Sequence, residues 1–194
     1  MIEFLSSPQM EIFSWVSGTL CVWLITRENI WNWPIGMTNN VLLGLIFWNK
    51  RLYGQTLLQL IFFIISIYGW WHWTHPKVPQ KKSSVSRLKP LEWTASLGAL
   101  VVIWGATLWM LLQSSDGSNM VLDSLILSMG LVAQALMAMK KIENWAFWIL
   151  FNLLSGFVSA WNGLYITTTL YMIFLMLCWI GVRSWRKSLS EAGP

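Results

Sequence analysis

Apolar residues run along the chain in seven blocks, at about 10–26, 31–48, 53–73, 91–113, 118–139, 143–161 and 164–184. A bilayer core about 30 Å thick takes roughly 17–25 residues of helix at about 1.5 Å each. Each block therefore predicts one spanning helix, and the set predicts an all-α membrane protein of seven transmembrane helices. The first, second and sixth blocks are short, so their ends are the softest. Most blocks are joined by brief polar turns. The exception is 74–90, where three prolines and five basic residues make one long linker that parts the chain into halves.

The halves repeat. Shifting the chain against itself by 112 positions lays 142–185 on 30–73 without a gap, with 14 identities in 44 positions. Asn32-Trp33 meets Asn144-Trp145, Asn40 meets Asn152, Gly44 meets Gly156, Tyr53 meets Tyr165, Thr56 meets Thr168, Gly69 meets Gly181 and Trp73 meets Trp185. Shared apolar composition would match leucines and isoleucines, but it would not bring Asn, Gly, Tyr and Trp into one register. Weaker matches extend the offset upstream, where Glu11 meets Asp123 and Gly18 meets Gly130. The expected organisation is a first three-helix repeat at 1–73, a cytoplasmic linker with an odd fourth helix at 74–117, a second three-helix repeat at 118–185 and a cytoplasmic tail at 186–194. The odd helix restores the orientation of the second copy, giving a 3+1+3 parallel repeat. Transporters built this way hold substrate near the midplane between their repeats.

Composition agrees with a lipid solvent. Hydrophobic residues make up 56% of the chain and charged residues 11%, with a mean hydropathy of +0.54. A soluble domain carries about 25% charged residues, so lipid has to cover most of this surface. The net charge of +5 would suit nucleic acid, but the charges fall in the loops and no nucleic-acid partner is expected. With the linker and the 5–6 loop inside, Arg27, Lys77, Lys81, Lys82, Arg87, Lys89, Lys140, Lys141, Arg183, Arg186 and Lys187 share one side, 11 of the 13 basic residues. Only Lys50 and Arg51 stand opposite. The positive-inside rule then puts the N-terminus outside and the C-terminus in the cytoplasm. Glu3 and the lack of Lys or Arg at the start do not suit a signal peptide. Cys21 and Cys178 sit inside apolar blocks without partner spacing and read as small buried hydrophobes. Of the 16 tryptophans, Trp70, Trp71, Trp73, Trp93 and Trp185 read as an aromatic belt at the inner boundary.

Polar side chains within the membrane are costly unless satisfied, which makes them the first candidates for function. Asn40 and Asn152 each lie nine residues into their helix, at a depth of about 13 Å, near the midplane. On the sixth helix Trp145, Trp148, Asn152 and Gly156 share one stripe, and the matching stripe on the second is Trp33, Gly36, Asn40 and Gly44. Trp148 thus answers to Gly36. One indole opposite a gap, with amides nearby, would hold a flat ring and hydrogen-bond its edge. The competing reading is that Asn and Gly merely knit helices together. Further candidates are Thr38, Asn39, Gln55, Thr56, Gln59, Gln134, Thr167, Thr168 and Tyr171, although threonines commonly bond to their own backbone. Glu11 and Asp123 lie close enough to the outer ends to reach water, and Asp123 is a candidate for proton coupling. Pro34, near the start of the second helix, costs little there and would let that end tilt as a gate.

Enzyme chemistry has no footing in this pattern. His72 and His75 lie together at the end of the third block with no acidic or cysteine partners, and no paired-carboxylate, metal-ligand or nucleophile motif occurs. No cofactor or metal site is expected.

The run Glu143-Asn144-Trp145-Ala146-Phe147-Trp148-Ile149-Leu150-Phe151-Asn152 resembles the WxxWxxxN signature of the Pnu family of bacterial vitamin transporters. The first half agrees through Asn32-Trp33-Pro34-Ile35-Gly36, Leu52-Tyr53 to Leu58-Gln59, and Tyr68-Gly69-Trp70-Trp71-His72-Trp73. The resemblance covers nearly the whole chain. It implies a SWEET-like fold, a homotrimer in the bacterial inner membrane, and facilitated diffusion of a vitamin that a cytoplasmic kinase then traps by phosphorylation. It also implies ring contacts from Trp145, Trp148 and Asn152, with Asn40 and Gln59 contributing from the other half. Asn39, Gln134 and Tyr171 complete the expected substrate-binding set. Nicotinamide riboside is the leading expected substrate, with thiamine as the runner-up and riboflavin as a further alternative from related branches. A non-transporting accessory membrane protein is the rival class.

Overall fold

The computed structural model describes residues 8–49, 51, 53–75, 85–114 and 120–191. They form seven helices: α1 Pro8–Thr26, α2 Asn32–Asn49, α3 Tyr53–Thr74, α4 Pro90–Ser114, α5 Met120–Ala138, α6 Asn144–Trp161 and α7 Tyr165–Glu191. The seven expected segments are all present, with ends shifted by a few residues. Part of α3, α4, α5 and α7 are long and apolar enough to cross a membrane. At 18 residues each, α2 and α6 reach about 27 Å. Lys50, Lys77, Lys81, Lys82 and the Glu11 side chain lie outside the described residues.

The chain divides into two compact units, Met1–Ser83 and Ser84–Pro194. In the first, α2 packs on α1 and α3. In the second, α4, α5, α6 and α7 pack in sequential pairs, so the odd helix goes with the second unit. Helix bounds follow the 112-position offset. Offset by 112 positions, α5 has the bounds of α1, α6 those of α2, and α7 begins where α3 does. The turns match too. Glu28 and Lys140, at repeat-related positions, both take left-handed backbone (φ 51 and 53). Each ends its helix in a Schellman turn, with Glu28 N–H on Ile25 O and Asn29 N–H on Leu24 O, answered by Lys140 on Met137 and Lys141 on Leu136. Arg51 and Gly163 form the second matched pair (φ 59 and 74). Only Gly163 takes that conformation without a side-chain penalty.

Each unit is locked by a tryptophan pressed on a glycine. Trp33, 1% exposed, lies over Gly69 and meets Trp73 edge-on at 5.3 Å and 88°. Trp145, 2% exposed, lies over Gly181 and meets Trp185 at 5.5 Å and 84°. No other residue type allows the ring so close, because a Cβ at either glycine would overlap it. Trp73 and Trp185 are therefore buried packing residues rather than members of an aromatic belt. A sequence count places them at a helix end but does not show which way the rings turn. Trp70, Trp71 and Trp93 remain exposed.

The seventh helix runs past the expected end at 184 to Glu191. Apolar content marks where lipid stops, whereas the helix continues as long as its residues favour it. Arg183 sits over the Trp179 ring at 5.5 Å, and Lys187 approaches Glu191 at 3.9 Å one turn later.

Candidate functional site

In the second unit, three aromatic rings stand in series beside a buried amide. Trp148, half-buried, meets Phe151 edge-on at 5.3 Å and 82°, and Phe151 meets Tyr171 at 6.4 Å and 70°. The α6 helix places the first two rings three residues apart on one face, and α7 supplies the third. The α6 and α7 backbones pass close beside them at Gly156, where a Cβ would lie 3.4 Å from Tyr171 Cβ, an ordinary contact. Behind Trp148 is an apolar cluster of Leu88, Val132, Ala133, Leu136 and Phe147, against which its ring packs.

Asn152 follows Trp148 by one turn and is 3% exposed. Its Nδ2 donates to Trp148 O at 2.7 Å and to Cys178 Sγ at 3.7 Å. Because a carbonyl can only accept, those bonds fix which end of the amide is nitrogen. Its Oδ1 is buried without a hydrogen-bond partner. A buried carboxamide oxygen left without a partner costs about 1–3 kcal/mol, which an incoming N–H donor would recover.

Trp145 occupies the other edge of the same stripe. Its ring is engaged by Gly181 and Trp185, and its Nε1 is buried without a partner. Trp33 Nε1, its repeat counterpart, is in the same state. Gln134 is half-buried on α5, flanked by the buried Ala133.

In the first unit, Asn40 and Gln59 line one groove of about 560 Å³ between α2 and α3. That volume is in the range of small-ligand pockets. α3 passes close to Gly44, where a Cβ would meet Gln59 Cβ at 3.6 Å, an ordinary contact. Otherwise the walls are mostly apolar, from Leu45, Trp48, Leu60 and Phe63, with Thr56 adding a hydroxyl. Asn39 is half-buried and its Oδ1 has no partner. Thr38 and Thr168 donate to the carbonyls of Pro34 and Leu164, four residues back, as helical threonines do. Asp123 is exposed on α5.

Repeat-related positions therefore carry contrasting chemistry. Trp148, Phe151 and Tyr171 in the second unit answer to Gly36, Asn39 and Gln59 in the first, while Asn152 answers to Asn40. One unit has rings where the other has amides and a gap. Phe151 was not among the residues singled out from sequence, although its pairing with Asn39 across the repeat was a usable signal.

The sequence matches the nicotinamide mononucleotide transporter family over residues 9–187. It is 29% identical to the nicotinamide riboside transporter PnuC of Escherichia coli, across 95% of this chain and 87% of that protein. A relative from Haemophilus influenzae with the same description is 26% identical, across 92% of this chain and 79% of its own length. The riboflavin/roseoflavin transporter RibM of Streptomyces davaonensis is 26% identical, across 88% of this chain and 81% of that protein. Among solved folds, the crystal structure of the vitamin B3 transporter PnuC is similar with a TM-score of 0.73 and 22% identity, covering 92% of this chain and 80% of that one.

Proposed function

The chain belongs to the nicotinamide mononucleotide transporter family, and on that premise we propose that it is a facilitator of nicotinamide riboside uptake. Nicotinamide riboside is a pyridinium cation bearing a carboxamide and a ribose. Its three parts ask for three kinds of contact. A flat cation is attracted to aromatic faces by about 0.5–2 kcal/mol each, which Trp148, Phe151 and Tyr171 supply. The carboxamide N–H suits the unpaired Oδ1 of Asn152. In the first unit, taken by itself, Asn40, Gln59 and Asn39 are amides that both donate and accept, the chemistry that ribose hydroxyls ask for. Trp145 holds α6 to α7 and offers its unpaired Nε1, while Gln134 is the outlying member of the set. The unpaired amide oxygen beside three rings is the observation that carries this reading.

Charge separates the nucleoside from its phosphorylated form. A phosphate dianion in a membrane interior needs Arg or Lys, and none of the residues assigned to substrate is basic. Of the described basic residues, Arg27, Lys89 and Lys141 fall just outside helix ends, and Arg183, Arg186 and Lys187 lie in the last third of α7. Energy coupling is not part of the proposal, and trapping by cytoplasmic phosphorylation would make uptake directional. Riboflavin is the second reading, favoured by the similarity to RibM.

Further assignments rest on the family resemblance and on charge. They are a homotrimer in the bacterial inner membrane, N-terminus outside and C-terminus cytoplasmic, with the basic turns facing the cytoplasm. A thermal-shift panel of the purified protein with nicotinamide riboside, its mononucleotide, thiamine and riboflavin tests the substrate. Stabilisation by the riboside alone is expected. Stabilisation by riboflavin alone, or by the mononucleotide above the riboside, would refute the assignment.

A further inference from the structure

The start of α6 is held from outside its own helix. At the residue before the helix, Glu143, no side-chain cap is made to the first turn. Its carboxylate instead accepts the backbone N–H of Leu88 at 3.0 Å, from a segment 55 residues earlier. The same segment is stitched to the α5–α6 turn by two backbone bonds, Ser86 N–H to Lys140 O and Ile142 N–H to Ser86 O, both 3.0 Å. A third tie is ionic. Lys141 Nζ lies 2.9 Å from both carboxylate oxygens of Glu92 and 3.4 Å from Arg87 O, with its side chain only 13% exposed.

Residues 85–93 are also part of the wall on which the rings rest. Leu88, 8% exposed, belongs to the cluster with Phe147 against which Trp148 packs. Trp93 approaches the Phe147 ring at 6.5 Å. The bonds at Glu143, Lys141 and Ser86 therefore set the position of the first turn of α6, and Leu88 sets the surface beneath the aromatic series. The equivalent turn in the first unit is closed locally, with Asn29 Oδ1 accepting from Trp31 N–H at 2.9 Å. There Glu143 is replaced by Trp31, 64% exposed.

We infer that residues 85–93, through Glu143 and the Lys141–Glu92 pair, form a clasp that positions Trp148 for substrate, making Glu143 and Leu88 positioning residues. The inference rests on the reading of Trp148 as a substrate contact. A helix start released from its clasp samples several positions, and affinity falls in proportion to the fraction that remains competent. The effect therefore belongs in KM rather than in the maximal rate.

The test is a double-mutant cycle on nicotinamide riboside uptake by proteoliposomes containing the full chain, with KM and maximal rate read separately. Glu143→Ala should raise KM about five- to tenfold with a maximal rate within twofold of wild type. Glu143→Gln keeps an acceptor oxygen for Leu88 N–H and should recover most of that loss, which general destabilisation would not allow. Glu143→Ala should add less than twofold once Trp148→Ala is present. An unchanged KM in Glu143→Ala, equal loss in the Ala and Gln variants, or full additivity with Trp148→Ala would overturn the clasp while leaving the site standing. An unchanged KM in Trp148→Ala alone would instead overturn the reading of the site. Should Glu143→Ala fold poorly, Leu88→Ala takes its place in the cycle, where an unchanged KM or full additivity with Trp148→Ala would overturn the clasp.

Discussion

Gly181→Ala tests the packing that holds the aromatic helix in place. A Cβ at Gly181 would lie 2.7 Å from Trp145 Cε2 and nearer still to the outer ring carbons. Carbon atoms in contact prefer about 3.5–4.0 Å, so the ring has to retreat by about 1 Å. It has nowhere easy to go, being 2% exposed with Trp185 edge-on at 5.5 Å. Overpacking of this kind costs about 1–3 kcal/mol, and disturbing the edge-on pair costs up to about 1 kcal/mol more. Removing a helical glycine returns about 0.5–1 kcal/mol, leaving a net loss near 2 kcal/mol. For a chain of this size that is a fall of about 4–8 °C in Tm. Thermal unfolding of the detergent-solubilised protein, followed by tryptophan emission, reads it. Gly69→Ala should behave alike, because Trp33 repeats the arrangement. Gly105→Ala, where nothing lies within 4 Å of the new methyl, should match or exceed wild type. Replacing Trp145 with Phe should relieve part of the Gly181→Ala loss. If Gly181→Ala melts with Gly105→Ala, the packing described here is wrong.

Three further outcomes follow from the same geometry. Trp148→Ala should raise KM for nicotinamide riboside at least tenfold while Tm falls by only a few degrees, since the ring is half-buried; a normal KM would remove it from the site. Asn40→Ala and Gln59→Ala should each cut uptake by about fivefold or more in protein of normal yield, at about 1 kcal/mol per lost hydrogen bond, whereas a loss of assembly alone would favour an accessory protein. Arg51→Gly should stabilise by about 1 kcal/mol, because φ 59 at Arg51 is left-handed and its counterpart is already Gly163; a lowered Tm in the unfolding assay would contradict that.

Much of the fold was legible in the sequence because a membrane imposes coarse rules. Block length gives helix number, and the 112-position offset predicts which helices correspond; the matched left-handed turns at Glu28 and Lys140 show how closely they do. Side-chain direction was less legible. Trp73 and Trp185 read as interfacial by position, yet each turns inward onto a tryptophan that a glycine admits. The stripe of Trp145, Trp148 and Asn152 was visible from helical spacing, but spacing could not show that Trp145 is engaged by α7 while Trp148 faces Phe151. The ties from Ser86, Leu88 and Glu92 to the α5–α6 turn were hidden altogether. Partners some 50 residues apart follow no local period, and every tie except the Lys141–Glu92 pair uses a backbone atom, which carries no sequence signature.

If this chain passes nicotinamide riboside down its gradient and recognises it through Trp148 and Asn152, counterflow will show both. Proteoliposomes are preloaded with unlabelled riboside, with no ATP and no ion gradient, and labelled riboside is added outside. Label should accumulate transiently, decay to equilibrium and fail to accumulate in Asn152→Ala. No counterflow with the riboside, or undiminished counterflow in Asn152→Ala, would contradict that reading.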